Sequence, residues 1–366
     1  MSSLISSQIA KSKNKSSLRL QIVIIIALVL LASLLTFSNF FGESRDYHAY
    51  DIFFQHVLIN GCSNTQAYRF ELGFQYFSCL LALAVNSPNA IYAVITAVSL
   101  FPKLCIVARI ATLNSIKIAK ISISFVLAVL MYMTRFFPLH ELTQLRVSVG
   151  ISFVLVSFVY IKRDLLLPKF YPRSLRGRDP FKQSWKYYLA HTLFLIVGIS
   201  FHASLLTSIP LLIVQQFARS RKFIVLSSII LFFLLLFFCN AIAIFSFDIF
   251  AAGFLYEDGF GQEVNLLSIQ KLLDWMLVLM SFILIKPKEH KLSLSLLCLF
   301  TYSLAIFYGC ANIPIFAHRL SEVFQVFGIL LIASMGTKKQ LVFTVPFSIV
   351  YSLANIYIFT MSDYFF

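Results

Sequence analysis

The sequence predicts an all-α, polytopic integral membrane protein with about 11 transmembrane helices and one short re-entrant or interfacial helix. Hydrophobic residues make up 59% of the 366-residue chain and charged residues only 12%, with a mean hydropathy of +0.86. No water-soluble domain of that length could hide so much apolar surface, while a bilayer solvates it directly. The 30 Lys and Arg fall mostly in short strips between apolar runs, the pattern that orients helices by their cytoplasmic loops. The net charge of +15 is therefore read as orientation, and nucleic acid is set aside as a partner. The alternation of a barrel strand is absent, so lipid forces the backbone into helices.

The elements follow in order. Residues 1–19 carry Lys11, Lys13, Lys15 and Arg19 and are expected to be a cytoplasmic tail. The run Leu20–Phe41 is too long for a signal-peptide core and lacks a small-x-small cleavage site, so it reads as an uncleaved first helix. Later runs are Phe70–Val85, Ala90–Ala108, Ile118–Met133, Val147–Ile161, Tyr187–Phe217, Phe223–Phe247, Ser268–Ile285, Leu292–Cys310, Leu320–Ser334 and Leu341–Phe359. One crossing per run would put the basic strip 162–186 outside, against its charge. The economical repair leaves Phe70–Val85 uncrossed: it is short and carries Glu71 and Gln75. Tyr187–Phe217 is too long for one span and basic at both ends, so it reads as two short helices meeting near His202, or one hairpin. Residues 1–366 then form a single integral membrane domain. Its middle loop, 162–186, is cytoplasmic, and 246–267, with the loops at 46–69, 135–145 and 311–318, lies on the outer side.

This topology puts 24 of the 30 basic residues in cytoplasmic strips, including one at 103–120. Arg45, Arg69, Arg135, Arg146, Lys271 and Arg319 remain outside. Five of these six are Arg, the side chain that grips phosphate or carboxylate with a planar fork. Arg146 lies near the start of an inward-running helix, whose positive end also suits an anion. The outer side gathers Asp46, Tyr47, Tyr50 and Asp51; Arg69 and Glu71; Arg135, His140, Glu141 and Arg146; His202; and His318, Arg319 and Glu322. Each group also suits a bland role as a solvated loop, a local ion pair or a satisfied core histidine. Their convergence on one side is the informative feature.

The six cysteines show no C-x-x-C spacing, and no metal-binding, nucleotide-binding or nucleophile-elbow motif is present. No metal and no cofactor is expected. Cys62 and Cys310 both fall outside, and pairing them is one open possibility.

Five short motifs share an order. A first helix leads into D-Y-x-x-Y (Asp46, Tyr47, Tyr50) and then E-x-G-F (Glu71, Gly73, Phe74). An L-R-x-S-x-G start follows (Arg146, Ser148, Gly150), then H-x-S at a helix end (His202, Ser204) and a late Arg before a helix (Arg319). This layout resembles the EpsG-like branch of the Wzy polysaccharide polymerases, over most of the chain in plan and a few motifs in letters. The large outer loop of other Wzy branches is missing.

The resemblance implies a GT-C-like enzyme of the bacterial inner membrane. Such an enzyme polymerises O-antigen, capsule or exopolysaccharide repeat units on the periplasmic side. The substrates would be oligosaccharides on undecaprenyl diphosphate, and a chain-length regulator a protein partner. An acceptor hydroxyl attacks the donor's anomeric carbon and lipid diphosphate leaves. Arg135, Arg146 and Arg319 are the expected diphosphate ligands. His202, Asp46 and Glu71 compete as the catalytic base, and Tyr47, Tyr50, Arg69, His318 and Glu322 are expected to contact substrate. The alternatives are a GT-C transferase using polyprenyl phosphate, an O-antigen ligase and a lipid-linked oligosaccharide flippase. A flippase would carry its charges midway through the spans, whereas these cluster near one interface.

Overall fold

The computed structural model describes residues 2–40, 46–114, 116–118, 121–162, 180–245, 264–287 and 289–361. Among them the helices are α1 (Ser2–Phe37), α2 (Tyr47–Asn60), α3 (Leu72–Ala82), α4 (Pro88–Asn114), α5 (Ile123–Met131) and α6 (Leu145–Ile161). They continue with α7 (Pro180–Phe201), α8 (Ser208–Val214), α9 (Arg221–Phe245), α10 (Ile269–Leu284), α11 (Lys291–Gly309), α12 (Pro314–Ser334) and α13 (Lys338–Met361). A two-residue antiparallel ladder, β1 (Lys117–Ile118) with β2 (Ile121–Ser122), joins α4 to α5.

Seven of the described helices are long and apolar enough to cross a membrane. The other expected crossings fall on shorter stretches: α6, the apolar part of α7 (Tyr188–Phe201), Ala203–Phe217 and α10. Large apolar side chains line the outside, among them Leu83, Phe237 and Ile283, as lipid-facing surfaces require. α3, at 11 residues, is only about 16 Å long, half a bilayer core. The expected meeting of two helices near His202 is present: α7 stops at Phe201, and a 3-10 turn, Ala203–Thr207, leads into α8.

The contacts divide the chain into two compact units, Met1–Leu205 with Ile332–Phe366, and Leu206–Leu331. In the first unit, α4 packs on α1 and α6, α6 on α7, and α13 on α5. Backbone meets backbone where α6 crosses α7. A Cβ on Gly198 would stand 3.1 Å from the Gly150 carbonyl oxygen, so only small residues permit this crossing. α2 and α3 enclose an aromatic cluster of Tyr50, Phe53, Phe54, Phe74 and Tyr92. In the second unit, α11 packs on α9 and α10.

Four expectations are corrected. The stretch 135–145 is not a loop: Tyr132–Thr143 is a π-helical segment continuing α5. Pro138 and three charged or titratable side chains made it look like a loop. The wider helix absorbs the proline, and Arg135, His140 and Glu141 are buried. Residues 46–69, likewise, contain the helix α2. Lys103 does not belong to a cytoplasmic strip, since it is buried within α4 (1% exposed). Finally, Cys62 pairs with Cys79, not Cys310, in a disulfide with Cα atoms 5.7 Å apart. It ties the segment after α2 to α3. The loops at 162–186 and 246–267 lie largely outside the described residues; of the first, 180–186 open α7.

Candidate functional site

Four elements of the first unit bring Glu71, Arg146, His202 and Tyr50 together. Glu71 is the extended residue just before α3. Arg146 is in the first turn of α6 and donates from Nη1 to Glu71 Oε2. Its Nε lies 3.4 Å from the Tyr50 hydroxyl, and its guanidinium stacks on Phe70, 4.9 Å from the ring centroid. His202 occupies the break after α7, with Nε2 4.0 Å from Glu71 Oε1. Residual exposure is 25% for Glu71, 16% for Arg146 and 7% for the imidazole. The group is thus recessed but open on the carboxylate side. Burial raises the Tyr50 phenol above its ordinary pKa and Asp46 adds to the shift, while Arg146 opposes it.

The imidazole has a fixed tautomer. The Ser204 backbone N–H donates to Nδ1 at 3.2 Å, and the Ser204 hydroxyl lies 2.7 Å from the same atom. Nδ1 is therefore the acceptor, and neutral His202 carries its proton on Nε2, toward Glu71. Motif spacing explains this: H-x-S at a helix end lets the serine main chain turn back onto the ring.

Gly73 sets the distance between the carboxylate and the imidazole. A Cβ there would lie 2.6 Å from the Ser200 carbonyl oxygen and 2.7 Å from its carbon. The start of α3 rests directly on the end of α7, two residues before His202. Gly73→Ala is expected to push the two segments apart and remove activity, while the protein still inserts; activity of membranes at matched expression is the check.

The other expected site residues divide. Tyr47 stacks on Tyr92 (5.2 Å) and donates to Asn89 Oδ1 at 3.1 Å, next to the cluster; Asp46 acts electrostatically on Tyr50. Arg69 is exposed, and Glu71 takes as its partner Arg146, 75 positions away, rather than its neighbour. Arg135 is held elsewhere in the unit, donating to the Tyr351 hydroxyl and lying 5.0 Å from the Phe136 ring centroid. Arg319, His318 and Glu322 belong to α12 in the second unit. There the His318 ring meets Phe307 edge-on at 5.5 Å, and Lys271 Nζ sits 4.0 Å over the Phe307 face and 3.7 Å from Asp274.

Sequence reasoning missed a buried polar network behind Arg146. Lys103 Nζ meets Glu141 Oε1 at 2.7 Å, Ser99 Oγ at 2.9 Å and the Ser148 hydroxyl. Tyr132 donates to the same carboxylate oxygen at 2.7 Å. Ser152 donates to the Ser99 carbonyl at 2.6 Å. Ser148 lies two residues after Arg146, so this network fixes the turn that carries the guanidinium. A signal was present: Thr96, Ser99 and Lys103 fall on one face of α4, and Ser148 and Ser152 on one face of α6. Among the described residues no group of His, Cys, Asp and Glu could hold a metal ion.

One family description, the EpsG family, matches residues 21–171 and 178–366 and so takes in every residue of the cluster. No curated protein and no solved structure matches the chain. With the five motifs in order and nearly the whole length matched, the chain belongs to the EpsG family.

Proposed function

We propose that the protein is a glycosyltransferase that polymerises oligosaccharide repeat units carried on undecaprenyl diphosphate, at the outer face of the bacterial inner membrane. Membership of a family of polysaccharide polymerases supports the reaction class. The observation that carries the rest is the Glu71–Arg146–His202 cluster, a carboxylate, a guanidinium and an imidazole in one recess.

Arg146 stabilises the diphosphate as the bond from its oxygen to the anomeric carbon breaks. With its guanidinium drawn to phosphate, Glu71 is released and accepts the proton of the attacking acceptor hydroxyl. The Nε2–H of His202 orients the carboxylate and binds sugar oxygens. The Tyr50 hydroxyl holds the other side of Arg146, accepting from its Nε. The apolar outer surfaces of the helices accommodate the polyprenyl chain. The Cys62–Cys79 disulfide supports an oxidising outer compartment for this end of the first unit.

The test is a deletion strain complemented with wild type or variants, read as polymer ladders on gels. Single-repeat product in the deletion strain and full ladders on complementation are expected. Lipid-linked carrier with no transferred repeat at all would overturn polymerisation in favour of ligation or transport. Glu71→Gln is expected to lose most polymer, since the amide cannot take the proton. His202→Gln, which keeps an N–H donor, should lose less than His202→Ala. Equal losses at His202 would remove the donor role.

A further inference from the structure

We propose that Cys239 and Cys310, both reduced in the structure, form a disulfide in the mature protein, a covalent modification site joining α9 to the end of α11. The observations lie within the second unit and are independent of the catalytic reading. The two thiols act on each other electrostatically, and each residue is 1% exposed.

The contact is held in register from both sides. Just before Cys310, Gly309 lets α11 touch α9: a Cβ there would meet the Phe232 carbonyl oxygen at 2.9 Å and Leu235 Cβ at 3.0 Å. Just after it, Asn312 Nδ2 donates to Asn240 Oδ1, beside Cys239. These two contacts, one turn before Cys239 and directly beside it, hold the two cysteines on facing helices that cannot slide past one another, the arrangement an interhelical disulfide requires.

The compartment is right as well. Basic residues stand at the starts of α9 (Arg221, Lys222) and α11 (Lys291), so charge sorting places those starts inside and Cys239 and Cys310 toward the outer side. There thiols are oxidised. The disulfide of a thiol–disulfide oxidoreductase is the oxidant. One cysteine thiolate attacks it to give a mixed disulfide, and the second cysteine displaces the oxidoreductase thiol. The two cysteines lose two protons and two electrons, and the oxidoreductase leaves as a dithiol. The low exposure of the pair places this step before α9 and α11 close together.

Full-length protein should be acid-quenched in membranes, denatured with N-ethylmaleimide, digested without reductant and read by mass spectrometry. A linked Cys239–Cys310 peptide is expected, with both thiols blocked to alkylation until reduction. Cys310→Ser should make Cys239 fully alkylatable. A host lacking its extracytoplasmic thiol oxidase should lose the linked peptide. Complete alkylation of both cysteines in the wild-type protein without reduction overturns the proposal, whatever the state of Cys62–Cys79. So does a Cys239 that stays blocked in Cys310→Ser.

Discussion

Arg146→Ala is expected to abolish long polymer while leaving the protein in the membrane. Two effects combine. Under the proposed function, the developing charge on the diphosphate loses its donor, a loss that typically costs about 100- to 1000-fold in rate. Glu71 also loses the partner that holds its carboxylate in place. Arg146→Lys should restore an ion-pair partner for Glu71 but only part of the rate, because an ammonium lacks the planar fork that can hold Tyr50 while gripping a phosphate. Arg135→Ala separates the assignments. Arg135 contacts Tyr351 and Phe136, so its loss should lower stability more than it lowers rate per folded molecule. Ladder length and initial rate at matched expression are the measurements. Wild-type ladders from Arg146→Ala would end the diphosphate assignment.

Lys103→Met is expected to be the most damaging substitution to stability. Lys103 and Glu141 are 1% and 0% exposed, and removing one member of a buried ion pair strands the other, at a cost of about 3–5 kcal/mol. Glu141→Gln should be costly for the mirror-image reason, leaving a buried ammonium. The double variant Lys103→Met with Glu141→Gln removes both charges while the amide still accepts from Tyr132. It should recover most of the loss. Melting midpoints of the purified protein in detergent test this. Midpoints for both single variants equal to wild type would show that the pair is dispensable.

Much of the fold was legible because it is written in bulk properties. Apolar runs and basic strips located the long helices, and the length of Tyr187–Phe217 gave the break at His202. The shortness of Phe70–Val85 marked α3. What could not be read was polarity facing inward. Lys103 in a helix looks like any cytoplasmic lysine until a carboxylate 38 positions away is seen to meet it. Tyr132–Thr143 resembled a loop because proline and charge normally end helices, and side-chain partners across the bundle overrode that preference. In the site, the motifs pointed to Glu71, Arg146 and His202 separately. That the three converge depends on α3, α6 and α7 meeting in space, which no local spacing encodes. Arg135 was grouped with Arg146 by proximity in sequence, yet the π-helical segment turns it toward α13.

The contact of Gly73 with the Ser200 main chain has a consequence for divergence. The spacing between carboxylate and imidazole is set where the Gly73 backbone rests on the main chain and hydroxyl of Ser200. Substitutions among the lipid-facing residues can therefore accumulate without changing that spacing. Under the proposed function, a chain built this way keeps the pairing of carboxylate and imidazole while residues farther from the site change.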